Sequence, residues 1–335
     1  MAVTTGLHEP ASRFRVRDLI QPLRELHVEC REIIPSVPAY PPTRHLLRPP
    51  WLIAAMSARV PLAIQSYRSD VVMFQRELIS TLSTLEWAFK RPRILDVDDA
   101  IYLSQRGRSV ERVAAWCDMV ICGNPFLAEK FSRWNKNIRI LPTGVDTERY
   151  SPSVIGVNDA QIIGWIGTSS NLHYLYAIEP ALKKVLEARP AAVLKIVSNA
   201  TPLFEDIPAN RIQYVKWSPD NDVEMIRSFS VGVMPLEDTE WARGKCSFKL
   251  LQYYACGIPA VASPVGMNAD VLASGTAGLA ASTEQGWVDS LVSLLDNPNE
   301  REIRGRAGRT LVESQYGLPS IAASLNSYLR EFSSR

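Results

Sequence analysis

The apolar positions of this chain fall into two successive series of short runs, each separated by segments of helical periodicity. In the first series, residues 71–74, 94–97, 119–122 and 138–141 are short, mainly apolar stretches, interrupted only by Asp96 and Arg139, of the kind that a buried parallel strand needs. Residues 2–4 form a briefer candidate, turned by Gly6. Between them, 13–29 reads as a helix on Val16, Leu19, Ile20, Leu23 and Leu26, with Arg15, Arg17 and Arg24 scattered among them. Residues 35–50 form a proline-rich loop, 51–59 a short apolar helix or turn, and 110–117 a helix; Asn124 or Pro125 opens another.

The segment 142–152, PTGVDTERYSP, has the turn chemistry of a connector, and the alternation then starts again. Residues 162–166, 193–197, 211–215, 231–234 and 260–262 read as strands. Leu172, Leu175, Ile178, Leu182, Val185 and Leu186 mark a helix that Pro180 should kink, and 222–229 marks another. Beyond Gly278, segments 287–295, 301–314 and 319–332 are amphipathic. Two strand-helix series predict an α/β protein of two doubly wound, Rossmann-like domains, 1–150 and 151–316.

Composition narrows the class of protein. A chain of 335 residues is long enough for two cores of about 150 residues each. A net charge of +2 without a dense Lys/Arg block gives no reason to expect a nucleic-acid partner. Cys30, Cys117, Cys122, Cys246 and Cys256 are odd in number and scattered without a CxxC pair, so neither a disulfide framework nor a zinc site is indicated, and a reducing compartment fits. No apolar run reaches about 18 residues and the N-terminus lacks signal-peptide features. The expectation is a cytoplasmic protein, with peripheral contact at the inner membrane face allowed.

The chemistry concentrates in three places. The stretch 243–265, RGKCSFKLLQYYACGIPAVASPV, predicts a helix capped by Ser247. Phe248, Leu251 and Ala255 fall on one side with Leu250 and Tyr254 beside them; Lys249, Gln252, Tyr253 and Cys256 share the opposite stripe, left free for chemistry. Gly257 suits the left-handed residue after a helix and Pro259 forbids its continuation. Arg243, Lys245 and Lys249 around the helix N-terminus would form an anion site for a diphosphate, the plain alternative being a solvated basic turn.

The loop GWIGTSS, after the strand at 162–166, offers Gly, Thr and Ser donors at a helix start, yet it is neither G-x-G-x-x-G nor a Walker loop. DVDDAIY ends the strand at 94–97 and permits a DxD metal site, a phosphatase nucleophile and acid at Asp96 and Asp98, or a carboxylate base beside a reacting sugar. Each aspartate alone is as readily a helix cap. So close a cluster should raise at least one pKa. His173, at the next helix start, is either a ligand contact or a surface residue.

Several of these segments together resemble a retaining glycosyltransferase of family 4 with the GT-B fold. They are ASRFRVRDLIQPL, VVMFQREL, ILDVDDAIYL, ILPTGVDTERYSP, IIGWIGTSSNLHYL and WARGKCSFKLLQYYACGIPAVASPVG. The resemblance implies two Rossmann-like domains facing a central cleft, with the C-terminal helix within 317–335 returning to the first domain. It implies transfer of a sugar from a nucleoside-diphosphate donor, held by the second domain, to a glycan, lipid-linked or small-molecule acceptor on the first.

Carried over by position, the resemblance places Gly167, Thr168 and Ser169 at the donor phosphates, Arg243, Lys245 and Lys249 on the diphosphate, and Trp217 with Ser218 along the base. Asp98 and Asp99 are the catalytic candidates, and Arg13, Arg15 and Arg76 lie on the acceptor side. No metal and no cofactor beyond the donor substrate are expected. Two departures stand out: Gln252 replaces the second of the family's two glutamates, which grips the donor ribose, and Gly244 replaces the first. Two other functions fit the same sequence, a sugar-nucleotide epimerase and a catalytically silent sugar-nucleotide-binding protein.

Overall fold

The computed structural model describes residues 1–7, 9–103, 108–153 and 161–333, so the last two residues of the predicted C-terminal segment lie outside it. The chain divides into two compact units. The first comprises Met1–Gly144, Arg243–Cys246 and Leu318–Arg335; the second comprises Val145–Ala242 and Ser247–Gly317. The connector therefore divides at Gly144, not after Tyr150, and the basic tetrapeptide at 243–246 belongs to the first unit.

In the first unit β1 (Ala2–Val3), β2 (Glu32–Ile33), β3 (Val72–Gln75), β4 (Arg93–Val97), β5 (Met119–Cys122) and β6 (Ile138–Ile140) form a sheet ordered β2-β1-β3-β4-β5-β6. All its pairings are parallel. Alternation along β4 sends its residues to two different cores. Leu95 and Val97 pack with Phe74, Val113 and Val120 on one side. Ile94 packs on the other with Ile121, Leu19, Leu23 and the C-terminal helix Leu318–Ser333, through Leu318, Ile321 and Leu325.

The predicted helix 13–29 is broken. Helix Pro10–Arg15 ends at Val16, whose φ of −128° leaves the helical region, and a 3₁₀ turn Arg17–Leu19 leads into a second helix Ile20–Glu25. The break serves a buried ion pair. Arg15 turns inward and donates to both oxygens of Asp96, at 3.1 and 2.5 Å, and through its remaining nitrogen to the Leu141 carbonyl at 2.6 Å. Arg15 is thus a strut of the first unit, 3% exposed and bonded within the protein through all three nitrogens, which corrects its sequence assignment to the acceptor side. Removing one partner of such a pair costs about 3–5 kcal/mol, because the other is left charged and dry.

The apolar segment expected at 51–59 is one part of a longer helix, Arg48–Ser66, opened by Pro49 and Pro50 in its first turn. Its extension past Arg59 escaped the periodicity because Pro61 lies inside it and its outward positions are also apolar.

The second sheet contains β7 (Ile162–Ile166), β8 (Val193–Ser198), β9 (Ile212–Lys216), β10 (Val231–Met234), β11 (Ala260–Ala262) and β12 (Gly278–Ala280), ordered β12-β11-β10-β7-β8-β9. Its pairings are likewise parallel. Its core gathers Trp165, Leu175, Leu182, Leu194, Trp287 and Leu291. Pro180 does not kink a helix; it sits in the first turn of a separate one, Glu179–Ala188, where its missing N–H leaves no bond unmade.

The strand order reverses between β7 and β10, and such a switch point opens a crevice at the carboxyl ends of the strands. The paired register there runs Ile163 to Val231 and Gly164 to Gly232, and stops. Beyond it the two strands are bridged by the Tyr253 hydroxyl, which accepts from Ile166 N at 3.2 Å and donates to Val233 O at 3.4 Å. The Tyr253 ring lies over Gly232, where a Cβ would come within 2.4 Å of it. Replacing Tyr253 with Phe keeps the ring and leaves both main-chain groups unpaired, so we expect a loss of about 1–3 kcal/mol in denaturant unfolding with little change in circular dichroism.

Candidate functional site

The helix Phe248–Ala255 supplies the centre of the site in the second unit. It ends as its sequence predicts. Gly257 has a φ of 72°, its N–H bonds to Tyr254 O at 2.9 Å, and Ile258 N bonds to Tyr253 O at 2.9 Å, the paired bonds of a Schellman end. Its start departs from expectation. Ser247 is left-handed, makes no cap to the helix, and hydrogen-bonds instead to Asn268 Oδ1 at 2.7 Å.

The stripe expected to be free is also packed. Gln252, Tyr253 and Cys256 are all buried, so the helix is enclosed on nearly every side, and only Phe248 and Lys249 are half-buried. A helix in the middle of an α/β unit packs against the sheet and against its neighbours, here the helix Pro298–Leu311, so an amphipathic sequence does not guarantee a wet face.

Lys249 is the residue this seating delivers. Its ammonium lies 5.6 Å from the centroid of the Trp165 ring, within cation–π range. Its side chain also crosses Gly167 so closely that a Cβ there would come within 2.7 Å of Lys249 Cε. Gly167 is therefore glycine by close approach, and the strand-end loop and the basic helix start, more than 80 residues apart in sequence, meet at the carboxyl end of β7.

The loop itself is less open than its sequence suggests. Gly167 N is bonded to Val197 O at 3.0 Å and Ser169 N to Asn199 Oδ1 at 2.7 Å. Thr168 Oγ1 pairs with Ser170 Oγ at 3.0 Å and accepts from Asn171 at 2.9 Å. What remains for an anion is a set of hydroxyls beside a lysine. His173 faces solvent, its Nδ1 2.9 Å from Ser170 O.

Trp217 follows β9 with its indole exposed, and the Ser218 N–H is held by Asn221 Oδ1 at 3.0 Å. Gln252 belongs to a buried chain of bonds. Its Nε2 donates to Tyr150 Oη at 2.9 Å, and that hydroxyl donates to Asp222 Oδ2 at 2.7 Å; Arg149 completes the set on Oδ1 at 2.7 Å. Because the Tyr150 proton is engaged by the carboxylate, the hydroxyl must accept from Gln252, which fixes the amide with Oε1 turned the other way.

In the first unit the acids at the end of β4 divide by role. Asp96 is locked to Arg15. Asp98 accepts from Arg76 Nε and Nη2 at 3.0 and 2.8 Å, and Asp99 accepts from the same Nη2 at 2.7 Å. Arg76, at the end of β3, has a φ of 66°, a conformation that L side chains reach at a cost and that recurs at functional sites. Burial, and next the charge of Asp98, push the Asp99 carboxyl above the usual carboxylate range, opposed by Arg76 and Lys245.

Arg243, Gly244 and Lys245 join this cluster. Asn124, read from sequence only as a cap, does cap its helix by accepting from Leu127 N at 2.8 Å; its Nδ2 also donates to the carbonyls of Arg243, Gly244 and Lys245 at 3.3, 3.0 and 3.0 Å. Nothing local in the sequence signals that second task. Gly244 is pressed against Ala100, where a Cβ would stand 2.8 Å from the alanine methyl and 2.9 Å from its nitrogen. Of the three cations assigned to a diphosphate, only Lys249 lies in the second unit. Arg13 is paired with Asp18 at 3.5 Å on the helix Pro10–Arg15 and the turn that follows.

Two sizeable cavities lie elsewhere. One of about 530 Å³, in the second unit, is lined by Ser230 and Pro259, and one of about 710 Å³, in the first, by Met1 and Val71, all of them residues at the amino ends of strands. No group of three or more metal-ligating side chains occurs among the described residues.

Residues 160–297 match the family model described as glycosyl transferases group 1. A search of the curated proteins finds no match. Among solved structures, the chain is similar to sucrose-phosphate synthase from Thermosynechococcus elongatus at 15% identity, covering 99% of each chain with a TM-score of 0.72. It is similar to HepE of Anabaena, solved in complex with UDP and glucose, at 13% identity over 98% of this chain and 99% of that one, with a TM-score of 0.72. WaaG, a glycosyltransferase involved in lipopolysaccharide biosynthesis, aligns at 13% identity over 97% and 99% with a TM-score of 0.66. At such identities the likeness establishes the fold: two six-stranded parallel α/β domains of the GT-B class.

Proposed function

We propose that this protein is a glycosyltransferase that moves a sugar from a uridine-diphosphate sugar to a hydroxyl of a glycan, lipid-linked or small-molecule acceptor. We assign it retention at the anomeric carbon, as the family 4 resemblance implies, and no metal ion. The observation that carries the reading is the meeting of Lys249 with Gly167 at the carboxyl end of β7, inside the segment that matches the glycosyltransferase family model. The choice of uridine rests on the structural relatives, since HepE is described with UDP-glucose and a trehalose-phosphate synthase as UDP-forming. Five unpaired cysteines fit a reducing, cytoplasmic location.

In this reading the bond from the anomeric carbon to the diphosphate oxygen breaks, leaving positive charge on the sugar ring and negative charge on the departing diphosphate. The acceptor oxygen bonds to the anomeric carbon in place of the diphosphate, and its proton passes to the departing diphosphate oxygen. Lys249, held by Trp165 beside the Thr168 and Ser169 hydroxyls, faces the growing negative charge already oriented, so its attraction is larger in the transition state than in the bound substrate. Gln252 Oε1 accepts from a ribose hydroxyl, Trp217 and Ser218 flank the base, and Asp98 and Asp99 orient the acceptor with Arg76. Arg243 and Lys245 set the charge around those acids.

Lys249→Ala should lower kcat/KM for UDP-sugar by about ten- to hundredfold, since a charge-assisted hydrogen bond is worth about 1.5–3 kcal/mol. The same variant should shrink the rise in melting temperature that UDP gives the wild type. Full turnover in Lys249→Ala, or no thermal shift with any uridine nucleotide, removes the proposal. A second expectation concerns Asp99. Its raised pKa means that it stays protonated to higher pH than an ordinary aspartate, and losing the lysine that opposes this shift raises it further. Carboxyl-carbon NMR of Lys245→Ala should therefore show the Asp99 titration displaced upward, with Asp118, whose pKa is lowered by Arg91 and Arg93 N–H bonds, unmoved.

A further inference from the structure

We propose that the outward face of the helix Arg48–Ser66, with the turn before it, is a docking surface for an anionic lipid bilayer. The helix belongs to the first unit and turns Ala55, Arg59, Ala63 and Ser66 inward. Its outward side carries a row of exposed apolar side chains, interrupted only by small residues such as Ser57. Leu46 is 92% exposed, Ile53 71%, Ile64 69% and Tyr67 65%, with Leu47 and Val60 between them. The spacing of 53, 60, 64 and 67 keeps these side chains on one side of the helix, and Leu46 stands in the turn that precedes it. Buried apolar residues explain a helix's inward face; this stripe has no such partner among the described residues.

Charge identifies the occupant. Asp and Glu make up 35 of the 335 residues, yet none occurs from Ile33 to Ser69, while Arg44, Arg48, Arg59 and Arg68 do, together with His45. Arg59 points inward and donates to Leu78 O at 2.9 Å and Ala55 O at 2.8 Å. Arg44 and Arg68 are exposed at either end of the stripe. A protein partner would meet this surface with apolar side chains and usually with acids of its own; a face that combines exposed aliphatic and aromatic groups with flanking arginines, over a long acid-free span, is that of a helix lying in a negatively charged interface. It lies on the membrane and does not cross it, because no helix among the described residues is long and apolar enough to span a bilayer. The arginines of the N-terminal helices do not contribute: Arg15 is paired with Asp96 and Arg17 with Glu32.

The inference does not depend on the donor chemistry, and its test has no turnover readout. The full chain is mixed with vesicles of phosphatidylcholine alone and with about 30 mol% phosphatidylglycerol added, and bound protein is measured by flotation. Binding is expected to the anionic vesicles, to be weaker on the neutral ones, and to fall as salt is raised. Ile53→Glu with Ile64→Glu, both at exposed positions, should lower binding by at least about tenfold at unchanged melting temperature. Arg44→Gln with Arg68→Gln should lower it by about tenfold or more on anionic vesicles only. The proposal is overturned if anionic vesicles do not bind the wild type, or if the isoleucine variants bind as well as it does. It is also overturned if sedimentation shows a dimer that the isoleucine substitutions dissolve, for then a second copy of the chain covers the stripe.

Discussion

The hydroxyl of Tyr253 holds together the second unit's sheet at its switch point. Parallel strands on either side of a switch point diverge, and the divergence leaves main-chain groups without ladder partners in a dry environment. Here the orphaned groups are Ile166 N and Val233 O, and one phenol answers both. Because that phenol belongs to the helix Phe248–Ala255, the repair of the sheet also fixes where the helix sits. Lys249 then has little choice of direction, and it passes over Gly167 onto the face of Trp165. Sheet pairing, helix seating and placement of the cation are one constraint seen at three scales.

The same reasoning explains why the architecture could be read from the chain. Strands buried on both faces must be continuous apolar runs, and β7, β10 and β11 have the limits that their runs define. Gly257 and Pro259 end their helix by local backbone rules, which need no knowledge of the rest of the molecule. Where the reading failed, a distant partner had intervened. Helical periodicity continues through Val16, but the demand of Asp96, 81 residues away from Arg15, interrupts the helix. Pro180 could end one helix, bend it or begin another, and periodicity alone does not distinguish them.

The site was legible in proportion to how local its determinants are. The glycine-threonine-serine loop and the lysine that meets it each carried a recognisable pattern, and their union followed from the expected fold. Arg243 and Lys245 shared the same stretch of sequence with Lys249, yet the tetrapeptide at 243–246 packs with the acids after β4. Asn124, which holds that tetrapeptide through three carbonyls, is invisible to pattern reading, because a side-chain amide reveals its second use only when the chain is folded. Ser247 illustrates the converse: a residue ideal for capping took another partner, Asn268.

The close approach of Gly244 to Ala100 restricts what residue 244 can be. A side chain at this position would meet the Ala100 methyl and its main-chain nitrogen, and something there would have to shift. A carboxylate at residue 244 therefore needs a change at Ala100 or in its backbone as well.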